Sequence, residues 1–324
     1  MIQYVAKRVA TSIVLLFFSS IVIFCLMRVI PGDPTITKLG GSIQGVDPRA
    51  LQAIRHELGL DQSIPEQYFH WLGGIVHGDF GRSYYSQFPV TTLITERIGA
   101  TAELAICALV IALGIGIPAA TLGTIWRNRF FDSLLSGFTA IGLATPAFVS
   151  GILLIVVFGV KLNWLPTQGY VSFEAHPLES LKGVLLPALT LSIVVAAPVL
   201  RVLRASLVDV ESASYTRTAA GKGLLRRQVV LRHVLPNAAI PALTTIGIVI
   251  GGLLGGAVIT EYVFARPGLG TLMVDSVYQR DYGVLQALVL LAAATFILSS
   301  LVVDLLYGVI DPRLRLRVQG EGGR

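Results

Sequence analysis

The residues most able to do chemistry in this chain cluster around Gly221-Lys222-Gly223. A glycine beside a lysine is how a phosphate-binding loop begins, but such a loop needs Gly-x-x-x-x-Gly-Lys-Ser/Thr, and that spacing is absent. Nucleotide binding by this chain is therefore not expected. No His-Glu-x-x-His, Cys-x-x-Cys or Gly-x-Ser-x-Gly occurs, so neither a zinc centre nor an activated serine is encoded in a familiar form. The five histidines (His56, His70, His77, His176, His233) are scattered. Cys25 and Cys107 lie inside apolar runs, where a thiol behaves as a small apolar side chain. Two carboxylates border apolar runs, Glu103 and Asp304. Charges at such places are candidates for a transport role, although both lie close enough to an interface to be solvated or paired. No catalysis, no metal and no cofactor is expected in this chain.

What could position these residues follows from composition. Of 324 residues, 54% are hydrophobic and 14% charged, with mean hydropathy +0.73. A soluble domain carries about 25% charged residues. The apolar residues come in long uncharged runs, which points to lipid as the solvent and to an all-α polytopic protein. A membrane helix needs about 20 mostly apolar residues. Six segments qualify, near 9–30, 101–125, 133–160, 183–203, 238–260 and 283–306. The first holds twelve Val, Ile, Leu or Phe between positions 9 and 27; they favour insertion by at most roughly 4 to 7 kcal/mol. It is too long for a signal-peptide core and no small-x-small site follows it, so it reads as an uncleaved first span.

The net charge is +6. Nucleic acid is one reading of a basic chain, but here the basic residues flank the spans, where they set topology. Lys7 and Arg8, the connection around Arg127 and Arg129, the stretch from Arg201 to Arg232, and Arg313, Arg315 and Arg317 all fall on one side if there are six spans. That side is the cytoplasm, and it holds both termini. The resulting division is a first span (1–30), an external helical cap (31–98), a five-helix core (99–310) containing a cytoplasmic segment (206–236), and a cytoplasmic tail (311–324). In the cap, Asp47 with Pro48 predicts a helix start and Gly59 its end, while Ser63 with Glu66 predicts a capping box for a second helix through Trp71. The cap is either a passive packed loop or a docking surface.

Within the spans, Gly247, Gly251 and Gly255 recur every four residues, a spacing that lets helix backbones approach closely. Packing inside the chain and packing against another subunit both fit. Pro118, Pro146, Pro187, Pro198 and Pro241 predict kinks or unwound turns. Thr145-Pro146 with Phe148 is the candidate for a kinked segment lining a path, with ordinary packing as the alternative.

The cytoplasmic segment carries the most specific signal. Its first part predicts a short helix through Ala220, Gly221 and Gly223 predict a reversal with positive φ, and a second helix is expected from Leu224 to Leu235, where Pro236 stops it or starts the next span. Leu225, Val229 and Arg232 share one face by helical spacing. Tyr215-x-Arg217-Thr218-Ala219-x-x-Lys222-Gly223, followed by Leu235-Pro236, resembles the cytoplasmic motif of ATP-binding-cassette importer permeases in the variant used by the oligopeptide/dipeptide branch. The likeness covers nearly the whole chain. It includes Pro31-Gly32-Asp33-Pro34, Glu57-Leu58-Gly59-Leu60-Asp61, Gly78-Asp79-Phe80-Gly81-Arg82-Ser83, Phe264-Ala265-Arg266-Pro267-Gly268-Leu269-Gly270, Gln279-Arg280-Asp281-Tyr282 and Asp311-Pro312-Arg313.

That resemblance implies a type I importer permease fold in a bacterial inner membrane. It implies a second, related permease subunit, two ATPase domains that hold ATP and Mg, and an external solute-binding protein. It makes Tyr215, Arg217, Thr218, Ala219, Lys222, Gly223, Leu224, Leu235 and Pro236 the ATPase-coupling residues. Peptides are the implied cargo, with nickel, glutathione or another small solute as alternatives; a stand-alone secondary transporter or channel is the alternative of a different class. Driving a two-state gate from 1:99 to 99:1 needs about 5.5 kcal/mol of differential interaction. A single surface salt bridge, worth about 0–1 kcal/mol, does not supply that; a docked helix can.

Overall fold

The structure is a computed structural model; it describes residues 2–29, 35, 38–39, 47–126 and 128–310. Pro31 to Pro34, Arg127 and the tail from Asp311 lie outside the described residues. Every regular element named below is helical. Helix α1 (Ile2–Val29) is followed by α2 (Pro48–Glu57) and α3 (Ile64–Val76), then by α4 (Val90–Trp126). Next come α5 (Arg129–Ala144), α6 (Ala147–Leu154) with a π-helical extension (Ile155–Lys161), and α7 (Pro177–Ser212). The chain continues through α8 (Ser214–Gly221), α9 (Arg226–Val229), a π-helical turn (Val230–Val234), α10 (Leu235–Val263), α11 (Leu269–Tyr278) and α12 (Tyr282–Ile310).

Five helices are long and apolar enough to cross a membrane, and α5 with α6 supplies a sixth span if the bent pair is counted as one. The pair turns by 112° at Thr145-Pro146. A residue before proline is driven into extended backbone, and Thr145 (φ −92°, ψ 123°) and Pro146 (φ −60°, ψ 143°) both adopt it. The other prolines do not unwind their helices. Pro118, Pro187, Pro198 and Pro241 sit inside continuous helices. Membrane helices tolerate this because neighbouring helices and local adjustments satisfy the freed carbonyls.

Helix α7 is the axis of the bundle. Its Val184, Ala188, Leu191, Val195, Leu200 and Leu203 are buried against Leu104, Ala108 and Ala112 of α4 and Ala238, Ala242 and Ala257 of α10. Lipid tails are as apolar as leucine, so close packing rather than hydrophobicity holds such helices together, and alanines at these contacts let the backbones approach. Gly247 and Gly251 do the same between α10 and α12. A Cβ on Gly247 would lie 2.3 Å from Val303, and one on Gly251 2.6 Å from Phe296. Gly255, expected in the same seam, has nothing within 4 Å of the place its Cβ would take.

The two ends of the bundle are tied by polar contacts. Arg8 pairs with Asp304 at 2.9 Å, and the Tyr4 hydroxyl donates to the Asp304 carbonyl at 2.9 Å. The start of α1 therefore stands beside the end of α12, at the basic end of the bundle, with the start of the chain and the last span on one side. At the opposite end, Asp47 caps α2 by accepting from the Arg49 amide at 2.9 Å. Glu66 accepts from the Ser63 amide at 2.9 Å and from its hydroxyl at 2.8 Å, and those bonds hold the Glu66 carboxyl below its ordinary pKa. Helix α3 packs Tyr68 against Phe17 and Phe24 of α1, with Ser20 Oγ and Tyr68 Oη 2.9 Å apart. Helix α4 begins at Val90, ahead of the boundary expected near residue 98.

Filling a closed contact forces neighbours off their rotamers, at about 1–3 kcal/mol. Gly251→Val should therefore clearly lower the melting temperature of the detergent-solubilised chain, while Gly255→Ala should leave the stability within about 0.5 kcal/mol of the parent and the melting temperature nearly unchanged. Equal shifts for the two variants would refute this packing.

Candidate functional site

The connection between α7 and α10 folds as a compact knob. Helix α8 starts one residue after α7 ends, and the Thr216 hydroxyl, buried, donates back to the Val210 carbonyl at 2.9 Å. The Lys222 amide donates to Thr218 and the Gly223 amide to Ala220, closing the helix. The reversal then rests on Gly223 alone, at φ +82°, a conformation glycine adopts without the steric cost of a Cβ. Gly221 lies inside the helix. After Leu225, in extended backbone, α9 begins, with the Leu225 amide donating to Gln228 Oε1 at 3.3 Å.

The second helix starts at Arg226, two residues later than expected. Of the two outcomes open at Pro236 the second holds: the proline stands at the start of α10, and the helix runs through the π-helical turn into it, forming one rod from Arg226 to Val263. A proline leaves a carbonyl without its partner one turn back, and wider π turns absorb such local mismatches. Leu225 and Arg232 are exposed whereas Val229 is buried, because Leu225 precedes the helix and sits off its face.

Arg226 fixes this knob to the bundle. Its Nε donates to the Ile125 carbonyl at 2.9 Å, another guanidinium nitrogen bonds the Thr124 carbonyl, and Nη1 pairs with Glu211 at 2.9 Å. Thr124 and Ile125 are in the last turn of α4, where carbonyls lack helical partners and the helix dipole is negative, so a cation is well placed there. One side chain thus joins the ends of α4 and α7 to the start of the rod that becomes α10. The helical spacing that puts Leu225, Val229 and Arg232 on one face leaves Arg226 off it and gives no sign of this role.

The outward side of the knob is different in character. Tyr215, Thr218 and Lys222 recur at helical spacing and are exposed, as are Arg217, Gly223, Leu224 and Pro236; Ala219 is buried and Leu235 half-buried. A cavity of about 490 Å³ between α8 and the rod is lined by Thr216, Arg217, Leu224, Arg226 and Val229 among others. Apolar Tyr215, Leu224 and Leu225 beside basic Arg217, Lys222 and Arg227 make a surface suited to a groove with an acidic rim.

At the opposite end, two constellations join segments far apart in sequence. Glu261, fully buried, accepts from Thr101 Oγ1 at 2.6 Å and from the Gly270 and Thr271 amides at 2.7 and 3.2 Å. Its carboxylate lies at the start of α11, where helix amides and the dipole favour an anion. A Cβ on Gly268 or Gly270 would collide with that carboxylate. Arg266, 1% exposed, pairs with Glu103 at 2.9 Å and stacks on the Tyr170 ring, and the Ser180 hydroxyl also bonds Glu103. Asp281 receives the Ser83 hydroxyl and the Tyr84 amide, the latter at 3.0 Å. Glu103 and Asp304 are thus both paired with arginine. Glu261 escaped notice because the apolar run ends one residue before it.

Thr145 is half-buried at the bend, while Pro146 and Phe148 are exposed there. Among the described residues no three His, Cys, Asp or Glu side chains gather to hold a metal.

Residues 112–316 match the family of binding-protein-dependent transport system inner membrane components, and residues 1–105 match the N-terminal region of the membrane component of the same systems. The chain belongs to that family. It is 43% identical over 317 residues to the glutathione transport system permease proteins of Escherichia coli (strain K12) and Shigella dysenteriae serotype 1 (strain Sd197), covering 98% of this chain and 100% of each relative. This permease is a non-catalytic, multi-pass subunit of an ATP-binding-cassette importer in the inner membrane, and it works with the other components of such a complex.

Alanine at φ > 0 costs about 1 kcal/mol through the backbone even where there is space, and the space around Gly223 is open. Gly223→Ala should speed amide exchange across residues 214–229 about fivefold, and Gly221→Ala should not. Identical exchange in the two variants would show that the turn does not depend on Gly223.

Proposed function

We propose that this permease forms half of a path for short peptides, glutathione among them, and that residues Tyr215 to Pro236 are the element that docks on an ATPase. A second, related permease would supply the other half of the path, two ATPase domains would supply ATP hydrolysis with Mg, and an external solute-binding protein would deliver the cargo. The observation that carries the coupling role is the two-sided knob: Arg226 ties its inner side to α4 and α7, while Tyr215, Arg217, Thr218, Lys222, Gly223 and Leu224 remain outside. Ala219 packs the knob from within, and Leu235 and Pro236 carry its second helix into the span. A self-sufficient carrier has no use for such an element.

The cargo follows from likeness to relatives named for glutathione transport across their full length. The scarcity of charge in the middle of the spans also suits a passive path driven from outside. The break at Thr145-Pro146, with Phe148 exposed beside it, is our candidate for the path lining. The exposed stripe of Ile248, Gly252, Gly255 and Ile259 on α10 is our candidate for the face turned to the second permease.

Two measurements test this. In intact cells, a Lys222→Cys variant should resist a membrane-impermeant maleimide until the membrane is opened. In proteoliposomes with the partner subunits, loaded binding protein should drive ATP-dependent uptake of glutathione or a dipeptide, and this chain alone should move neither. Labelling from outside, or uptake by the chain alone down an ion gradient, would overturn the proposal.

A further inference from the structure

A second cleft lies at the basic end of the bundle, beside the coupling knob. It is a cavity of about 790 Å³ between α5 and α7, open along one side, and it falls in the range of small-molecule sites, about 300–1,000 Å³. Toward the middle of the bundle the two helices close on one another, where a Cβ on Gly142 would lie 3.0 Å from Ala197. One turn further along α7 comes Arg201, and the cleft continues past Ala205 and Val208 to Asp209. On α5 its lining reaches Ala144, immediately before the Thr145-Pro146 bend.

Three charged side chains line the cleft, and they are used unequally. Arg204 is satisfied: it donates to Ser136 Oγ at 2.8 Å and pairs with Asp132. Arg201 and Asp209 are exposed, and neither side chain has an ion pair or hydrogen bond among the described residues. They cannot satisfy each other, because eight residues of α-helix set them about 12 Å apart along the axis. Between them the wall is Ala205 and Val208, small and apolar. An arginine near a span end can also serve topology, with its head reaching the lipid surface. Arg201 instead lines a cleft between two helices, and ionisable groups that face a cavity within spanning helices mark solute pathways.

The spacing selects the occupant. A free anion would use Arg201 and leave Asp209 unmet, and the charges of a zwitterionic lipid head group adjoin too closely to reach both. A peptide with free ends carries the two opposite charges at its two termini. An extended chain spans about 3.3–3.6 Å per residue, so three residues and their terminal groups reach from one side chain to the other.

We propose that this cleft holds a short peptide by both ends, its carboxylate on Arg201 and its ammonium on Asp209. The assignment rests on the chain's forming half of a peptide path. The guanidinium offers the carboxylate two parallel N–H donors, and the Asp209 carboxylate accepts from the ammonium. Arg201 is the deeper of the two along α7, so the amino end of the peptide lies toward the basic end of the bundle and leaves first. Two end contacts in an open cleft give weak binding of millimolar order, which suits a path that must release its cargo.

The test uses the assembled transporter in detergent, with Cys25 and Cys107 of this chain replaced by alanine and Ala205→Cys introduced as the reporter. Maleimide labelling at position 205 is followed by mass spectrometry, with trialanine, trialanine amide, N-acetyl-trialanine or dialanine as probe at about 20 mM. Trialanine should slow labelling about fivefold or more, and the other three, each lacking an end or the length, about twofold at most. Arg201→Gln should remove the advantage of trialanine over its amide, and Asp209→Asn its advantage over the acetylated form. Arg201→Lys, which keeps the charge, should retain part of the first. Equal protection by trialanine and its amide, protection of the same size by inorganic phosphate, or no protection by any probe would overturn the proposal. If a complex without such protection still imports peptides, the transport reading stands and this inference alone falls; a complex that imports no peptide would overturn both.

Discussion

The hold of the α7–α10 connection on the rest of the bundle depends on the Arg226 guanidinium. A helix end exposes carbonyls that must find donors, and the last turn of α4 finds them in a residue from the connection between α7 and α10. The same guanidinium neutralises Glu211 at the end of α7. Three helix termini are therefore held by one planar, permanently charged group whose several donors suit this geometry better than a lysine ammonium would. Because the rod from Arg226 continues through α10 without a break, a displacement of the knob has a rigid element along which to reach the far side of the membrane.

The opposite end is held by the same logic with the charges reversed. There, carboxylates rather than a cation collect the free donors of helix starts and loops: Glu261 serves α11, and Asp281 serves the segment after Ser83. Between these two polar ends the bundle relies on alanine and glycine contacts, which set distances without adding charge. The division suits a protein that must keep its helix ends fixed while its apolar middle admits a cargo.

Much of this was legible in the sequence where the cause is local. Asp47-Pro48 and Ser63 with Glu66 start helices because a side-chain oxygen meets an amide two or three residues away, and the pattern names both partners. The spans were legible because twenty apolar residues in a row have one physical solution. Gly223 was legible as a turn, although the pattern could not separate it from Gly221. What the sequence hid is long-range. Nothing in the run from Leu224 to Leu235 says that Arg226 reaches residues 124 and 125. Glu261 looked like the first loop residue and is instead the buried ligand of the Gly268–Thr271 amides. Gly247, Gly251 and Gly255 have one spacing and two fates, because which side of α10 faces α12 is a tertiary fact. The motif residues around Ser83, Arg266 and Asp281 were visible as likeness; that they pin remote segments to one another was not.

The central claim is that force passes between an ATPase and the spans through a knob anchored by Arg226. The most direct measurement is ATP hydrolysis by the assembled, reconstituted transporter carrying Arg226→Gln, with and without loaded binding protein. The account predicts that the complex still assembles and hydrolyses ATP at its basal rate but loses both stimulation by the binding protein and cargo uptake. Full stimulation and uptake in an assembled Arg226→Gln complex would contradict it.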